Sequence, residues 1–163
     1  MIIRTAALKD MPRLLDIYNY EVLNGTSTFD LHPKTMDDRM EWFREHNIDN
    51  HPLIVAEIDG KAVGYASLSP YRPKEAYAAT VELSVYIDPG YRGRGIARRL
   101  ISDILDEARA RDDIHTVISV ITDGNEASVK LHEEFGFEYC GTMKEVGKKF
   151  GKLLGTVSYQ LMV

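Results

Sequence analysis

The sequence predicts an α/β (α+β) protein, a mixed central sheet of about seven strands with helices on both faces. Three observations carry this prediction. Two β-rich runs, residues 53–58 and 61–69, flank Asp59-Gly60, a dipeptide suited to a two-residue hairpin turn. A strand-like run at 79–87 is followed by a helical pattern and a further strand at 114–121, the order of a βαβ unit. A last pair of β-rich runs, near 137–146 and 153–162, closes the chain.

The elements follow in turn. Residues 2–4 suit a short strand. From about residue 8 to 23, Met11, Leu14, Leu15, Tyr18 and Val22 recur at helical spacing. Pro12 fits the first helical turn, where its missing N–H costs little, and Asn24-Gly25 ends the helix. Thr35 with Asp38 resembles a capping pair that opens a second helix through Met36, Met40 and Phe43. Residues 70–77 hold Pro70 and Pro73 and read as a loop. A third helix at about 95–111 has Ile96, Leu100, Ile101, Ile104, Leu105 and Ala108 on its apolar face. A fourth, at 125–135, turns Val129, Leu131 and Phe135 inward and stops at Gly136.

Composition bounds the function. A length of 163 residues suits one domain, 1–163, and 44% hydrophobic residues suit a full core. No apolar run approaches the roughly 18 residues of a membrane span. The start, MIIRTAALKD, lacks the layout of a signal peptide. Cys140 is the only cysteine, so neither an intrachain disulfide nor a cysteine metal cage is expected. A soluble, cytoplasmic protein without membrane partners follows as the expectation. The net charge of −5 argues against bulk nucleic-acid binding. Within this acidic chain, Arg92, Arg94, Arg98 and Arg99 crowd together, a patch suited to a small polyanion or to a solvated helix start.

That patch lies in Arg92-Gly93-Arg94-Gly95-Ile96-Ala97, between a strand and a helix. Glycines leave backbone N–H groups free to converge on an anion, and the helix N-terminus adds unsatisfied donors and a partial positive charge. In physical terms this is a pyrophosphate site. It is not a P-loop, because Ile96-Ala97-Arg98 stands where Gly-Lys-Ser/Thr is required. A dinucleotide fingerprint would need a small residue where Arg98 sits.

The same segment matches the Arg/Gln-x-x-Gly-x-Gly/Ala signature, and the chain resembles the GCN5-related N-acetyltransferases over its whole length. More narrowly, it resembles the branch that acetylates phosphinothricin and methionine sulfoximine. The residues that carry the branch likeness are Thr80-Val81-Glu82-Leu83-Ser84-Val85-Tyr86-Ile87, Asn125 to His132, Phe135-Gly136-Phe137 and Val146 to Gly151. The resemblance implies acetyl-coenzyme A as co-substrate, no metal, a small-molecule amine as acceptor and a homodimer joined through the terminal strands. It places the pantetheine arm against Val85, Tyr86 and Ile87, and the pyrophosphate over Arg92 to Arg98. Asn125 and Ser128 match cofactor contacts; as helix openers they are equally good caps.

An acceptor amine with a pKa near ~8 is largely protonated at neutral pH and needs a base. Alternation puts Glu82 and Ser84 on one strand face, Leu83 and Val85 on the other. A carboxylate in so apolar a run needs a wet cleft or a partner, and beside the glycine turn Glu82 is the expected proton acceptor. The acid for the departing thiolate is open. Tyr139 is one candidate and equally a core-edge tyrosine, His132 is another, and a thiol leaves well without help. A backbone N–H near Val85 is the expected donor to the acetyl carbonyl.

The branch's substrate-contact loop corresponds to Arg72, Pro73 and Lys74, with Glu82, Leu83 and Ser84 lining the same pocket. Arg72 is suited to holding a carboxylate bidentately, or is an exposed loop arginine. The sequence departs from the branch at Lys74, where an aromatic is common, and at Leu83, where a polar residue is common. Leu153 and Gly155 stand in for a tryptophan and an aspartate, so the pocket wall is altered. Two other functions fit the same signature: acetylation of a protein N-terminus or lysine, and non-catalytic sensing of an acyl-coenzyme A.

Overall fold

Asp59 and Gly60 turn the chain with φ of 51° and 76°, the left-handed pair that a tight hairpin requires. On either side, β2 (Leu53–Ile58) and β3 (Lys61–Pro70) pair antiparallel, as the sequence predicts. The computed structural model describes all 163 residues. In chain order the remaining elements are β1 (Ile2–Thr5), α1 (Met11–Asn24), α2 (Met36–Arg44), β4 (Thr80–Ile87), α3 (Ile96–Arg109), β5 (Thr116–Thr122), α4 (Glu126–Glu134), β6 (Glu138–Lys149) and β7 (Lys152–Met162).

Local signals set most boundaries. Thr35 and Asp38 form a reciprocal capping box at α2: Asp38 N–H donates to Thr35 Oγ1 at 3.1 Å, and Thr35 N–H to Asp38 Oδ2 at 2.8 Å. The first helix starts at Met11, later than the predicted residue 8. Leu8–Asp10 is a separate 3-10 turn, because Pro12 takes the first turn of α1 and Asp10 is held by Arg4 at 2.7 Å. The last hairpin runs longer than predicted. It turns at Phe150 and Gly151, φ 51° and 73°, where phenylalanine carries no turn signal.

The seven strands form one sheet in the order β1-β2-β3-β4-β5-β7-β6. Neighbours are antiparallel except β4 and β5, the parallel pair that α3 connects. Alternate residues of β2 divide the core between the faces: Ile54 and Ala56 pack with α3, whose six predicted apolar residues are all buried, while Leu53 and Val55 pack with α1.

The parallel pair positions the site. β4 and β5 stay in register only from Thr80↔Thr116 to Glu82↔Ile118. Beyond that point β4 remains paired with β3 as far as Ile87, and β5 with β7 as far as Thr122. The two strands therefore diverge in mid-sheet, and from Leu83 onward one edge of β4 has no strand beside it.

Candidate active site

The split between β4 and β5 opens a cavity of about 440 Å³, lined by Ser84, Val85, Tyr86, Ile87, Asn125, Ser128 and His132 among others. A second cavity of about 420 Å³ lies over the start of α3, against Gly93, Gly95, Ile96, Ala97 and Arg98. Both are lined by Ile87, Arg92, Ala97, Ala127 and Leu131, so they form one groove from the free edge of β4 to the helix N-terminus.

The turn is built as a cradle. Gly93 and Gly95 hold φ of 73° and 76°, and a Cβ at either would meet no atom within 4 Å. None of the backbone N–H groups from Arg92 to Arg98 donates to a backbone carbonyl. Gly95 closes the helix instead through its own carbonyl, which accepts from Arg99 N–H at 3.1 Å. Arg98 pairs with Glu134 at the rim, and Arg94 Nη2 donates to Gly90 O at 3.2 Å without lining either cavity. Arg92 Nη2 bonds Glu21 Oε2 at 2.9 Å, fixing the turn to the end of α1. Converging free amides and a helix start fit a diphosphate, and an unpaired strand edge fits an amide-bearing arm.

Asn125 and Ser128 have both roles open to them. Asn125 Oδ1 caps α4 by accepting from Ser128 N–H at 3.2 Å, and both residues line the groove. His132 is buried there. Its Nδ1 donates to Ser128 O at 2.7 Å, so Nε2 accepts from the Ser119 hydroxyl at 2.8 Å. Burial lowers its pKa below the ordinary 6.5, and the ring is neutral.

On the opposite face of the sheet, β3 and β4 set polar residues in register: Glu82 faces Ser69, Ser84 faces Ser67, and Tyr86 faces Tyr65. Glu82 is half-buried with no hydrogen-bond partner, and desolvation raises its pKa above 4.5. A further cavity of about 440 Å³ lies on this face beneath α2, lined by Ser67, Ser69, Ser84 and Tyr86. It meets the groove at Ser84 and Tyr86, which line both.

Other predicted residues are not brought together. Arg72, Pro73 and Lys74 are all exposed. Arg72 stacks on Tyr71 and Tyr77, 4.9 and 5.6 Å from their ring centres, at a separate cavity that reaches Thr80. Glu82 stands between Thr80 and Ser84 on that strand face. Leu83 points to the other face of β4, into the α3 core, and lines the groove rather than the cavity beneath α2. Tyr139 must be set aside as the thiolate's acid: it lies on β6, separated from β4 by β5 and β7, and lines neither part of the groove. Its hydroxyl bonds Thr142 Oγ1 at 2.6 Å instead.

The model of the acetyltransferase (GNAT) family matches residues 16–137. This chain belongs to that family. It is 38% identical over 160 residues to the L-methionine sulfoximine/L-methionine sulfone acetyltransferase of Pseudomonas aeruginosa, covering 98% of this chain and 92% of that one. The fold superposes at a TM-score of 0.96 on a ribosomal-protein-alanine N-acetyltransferase from Brucella melitensis, at 42% identity and full coverage of both chains. It matches a phosphinothricin acetyltransferase from Sinorhizobium meliloti, crystallised with acetyl-coenzyme A, at a TM-score of 0.95 and 32% identity, over 99% of this chain and 88% of that one.

This GNAT acetyltransferase uses acetyl-coenzyme A as co-substrate, and the free amides of the Arg92–Arg98 turn and the unpaired edge of β4 have the chemistry to suit it. The sequence reading missed the cavity beneath α2. Its walls come from α1, α2, β3 and β4, and no single stretch of sequence carries that juxtaposition.

Proposed function

We propose that the protein transfers the acetyl group of acetyl-coenzyme A to the primary amine of a small amino-acid-like acceptor, of the phosphinothricin, methionine sulfoximine or methionine sulfone type. The observation that carries this reading is the position of Ser84 and Tyr86, which line both the co-substrate groove and a polar cavity that reaches Ser69, the cross-strand partner of Glu82. The names of the relatives point to the same acceptor class.

Acetyl-coenzyme A supplies an acyl group already activated as a thioester. The chain supplies binding and proton handling. Free amides of Arg92 to Arg98 hold the diphosphate, the open edge at Val85, Tyr86 and Ile87 holds the pantetheine arm, and Asn125 and Ser128 close the far wall. Glu82 takes the amine's proton. Its raised pKa and lack of a competing cation bring its basicity closer to that of the amine. A β4 backbone N–H stabilises the developing oxyanion. The thiolate departs without a dedicated acid from the terminal hairpin.

A thiol-release assay tests the reading with phosphinothricin, methionine sulfoximine, methionine sulfone, polyamines and alanine-terminated peptides as acceptors. One of the first three should give the highest kcat/KM. Peptides winning would instead favour the protein-acetylating alternative, as in the name of the Brucella structure. Acetyl-coenzyme A binding without turnover on any amine would favour an acyl-coenzyme A sensor.

We further infer a homodimer joined through the terminal hairpin, where Tyr139, Met143, Val146, Phe150, Leu153 and Met162 are exposed. So many large apolar residues on one edge hairpin mark an interaction surface. A cytoplasmic location suits a protein that consumes acetyl-coenzyme A and leaves its lone Cys140 exposed.

A further inference from the structure

Arg39, on α2, is buried to 5% relative exposure, yet no carboxylate pairs with it. Its hydrogen-bond partner is the Tyr65 hydroxyl, which accepts from Nη2, and its buried Nε has no partner at all. Aromatic rings hold the guanidinium in place. The Trp42 ring centre is 3.5 Å away, with Tyr18 at 4.8 Å and Tyr65 at 5.2 Å. A buried cation without a counter-charge is costly, and cation–π contacts offset only part of that cost. Such a group calls for an explanation.

Arg39 lines the cavity that meets the groove at Ser84 and Tyr86. At the same cavity stand Asp30, Asp38, Glu41 and Glu45, with Lys34. This combination repels a multiply charged anion and suits a zwitterion that sends one carboxylate inward. We propose that Arg39 is the carboxylate anchor of the acceptor site: it binds the α-carboxylate of a free amino acid whose amine then faces Ser84, Tyr86 and the groove. A guanidinium fork stacked on an aromatic ring is well matched to a carboxylate. A peptide N-terminus has no carboxylate at that position. The inference rests on the acceptor class proposed above, and it assigns the anchor to Arg39 in place of the exposed Arg72.

Trp42 is the only tryptophan, and its contact with Arg39 supplies an optical probe that does not depend on turnover. Methionine sulfone should change its emission saturably, and methionine sulfone carboxamide should not. In thiol release the free acid should exceed the carboxamide in kcat/KM by about 10- to 100-fold, the size of a lost charge-assisted contact. Protonation cannot create that preference, because the carboxamide's amine is the less basic of the two. Arg39→Gln should abolish the preference, Arg39→Lys should restore part of it, and both should leave the KM for acetyl-coenzyme A unchanged. Arg72→Gln should keep the preference.

Equal use of acid and carboxamide by the wild type overturns the proposal, even if no Arg39 variant folds. Loss of discrimination in Arg72→Gln with its retention in folded Arg39→Gln does so too. An acid-selective Trp42 response without thiol release on any amine upholds the carboxylate site and removes the acetyl-transfer reading. Turnover with a silent Trp42 and no acid preference removes the anchor alone.

Discussion

Glu82 and Ser69 are direct cross-strand partners on β4 and β3, yet they do not satisfy each other. The Ser69 hydroxyl donates to His46 Nε2 at 2.8 Å, since His46 Nδ1 donates to Trp42 O, and the Glu82 carboxylate is left without a partner. A carboxylate held so is a poor structural element and a good base. Glu82→Gln should lower kcat/KM by about 100-fold or more, the usual worth of a positioned base. Calorimetry should find acetyl-coenzyme A affinity unchanged. Full activity in this variant would remove Glu82 from the chemistry.

The same residue sets a pH dependence. Burial raises the folded-state pKa of Glu82 above 4.5, so the folded protein holds its proton more tightly than the unfolded chain. Glu82 therefore favours folding at low pH, and that contribution is lost as pH rises from 4.5 through the folded value. At pH 7 the Gln variant should melt no lower than wild type. The acid limb of the kcat/KM profile should lie above 4.5 and vanish in the variant's residual activity. A Tm several degrees lower would mean that the carboxylate has an undetected partner.

How much of this was legible in the sequence depends on how local each feature is. The turn from Arg92 to Arg98 was readable because glycines beside a helix start have few other uses, and Glu82 because alternation fixed its face. The α2 cap was readable from Thr35 and Asp38 alone. Arg39 was not. In sequence it is one charged residue in a polar helix, and only its packing against Trp42, Tyr18 and Tyr65 removes it from water. Tyr139 is the converse case: the resemblance offered it as a tyrosine after the fourth helix, but strand order sets β5 and β7 between it and β4.

Gly95 is the residue whose replacement separates the cradle from the rest of the fold. An alanine there adds a Cβ to open space, so packing is untouched, but φ of 76° costs it about 1–2 kcal/mol. That Cβ enters the open space over the turn, where the diphosphate is proposed to lie. Gly95→Ala should raise the Kd for acetyl-coenzyme A by about 10-fold or more, a loss on the order of one hydrogen bond to a charged group. Turnover at saturating co-substrate should change far less. Unaltered affinity in a folded variant would mean that the diphosphate does not sit on this turn.

The terminal hairpin gives a prediction about assembly. Met143 and Phe150 are 61% and 57% exposed on it, and neither lines the groove. Met143→Glu together with Phe150→Asp places charge on the apolar edge and should shift the sedimentation coefficient from dimer to monomer. A monomeric wild type at micromolar concentration would exclude this interface. So would a double variant that stays dimeric.

Three histidines make stability fall on the acid side. Burial lowers the pKa values of His46, His51 and His132 below the ordinary 6.5. In each case the unfolded chain takes up a proton that the folded protein refuses. Stability is thus fully present above about 6.5 and is lost as pH falls toward the folded values, at up to ~1.4 kcal/mol per pH unit for each proton. Asp10, held by Arg4, acts in a separate window: its lowered pKa puts its loss below 3.8. Thermal unfolding from pH 8 to 5, at fixed protein concentration, should show a flat Tm that declines below 6.5. His132→Asn should start lower, having lost the bond to Ser119, but should fall less steeply because one titrating group is gone. A Tm independent of pH between 7 and 5 would show that these rings are reached by water, and that His132 is not held neutral beside the groove.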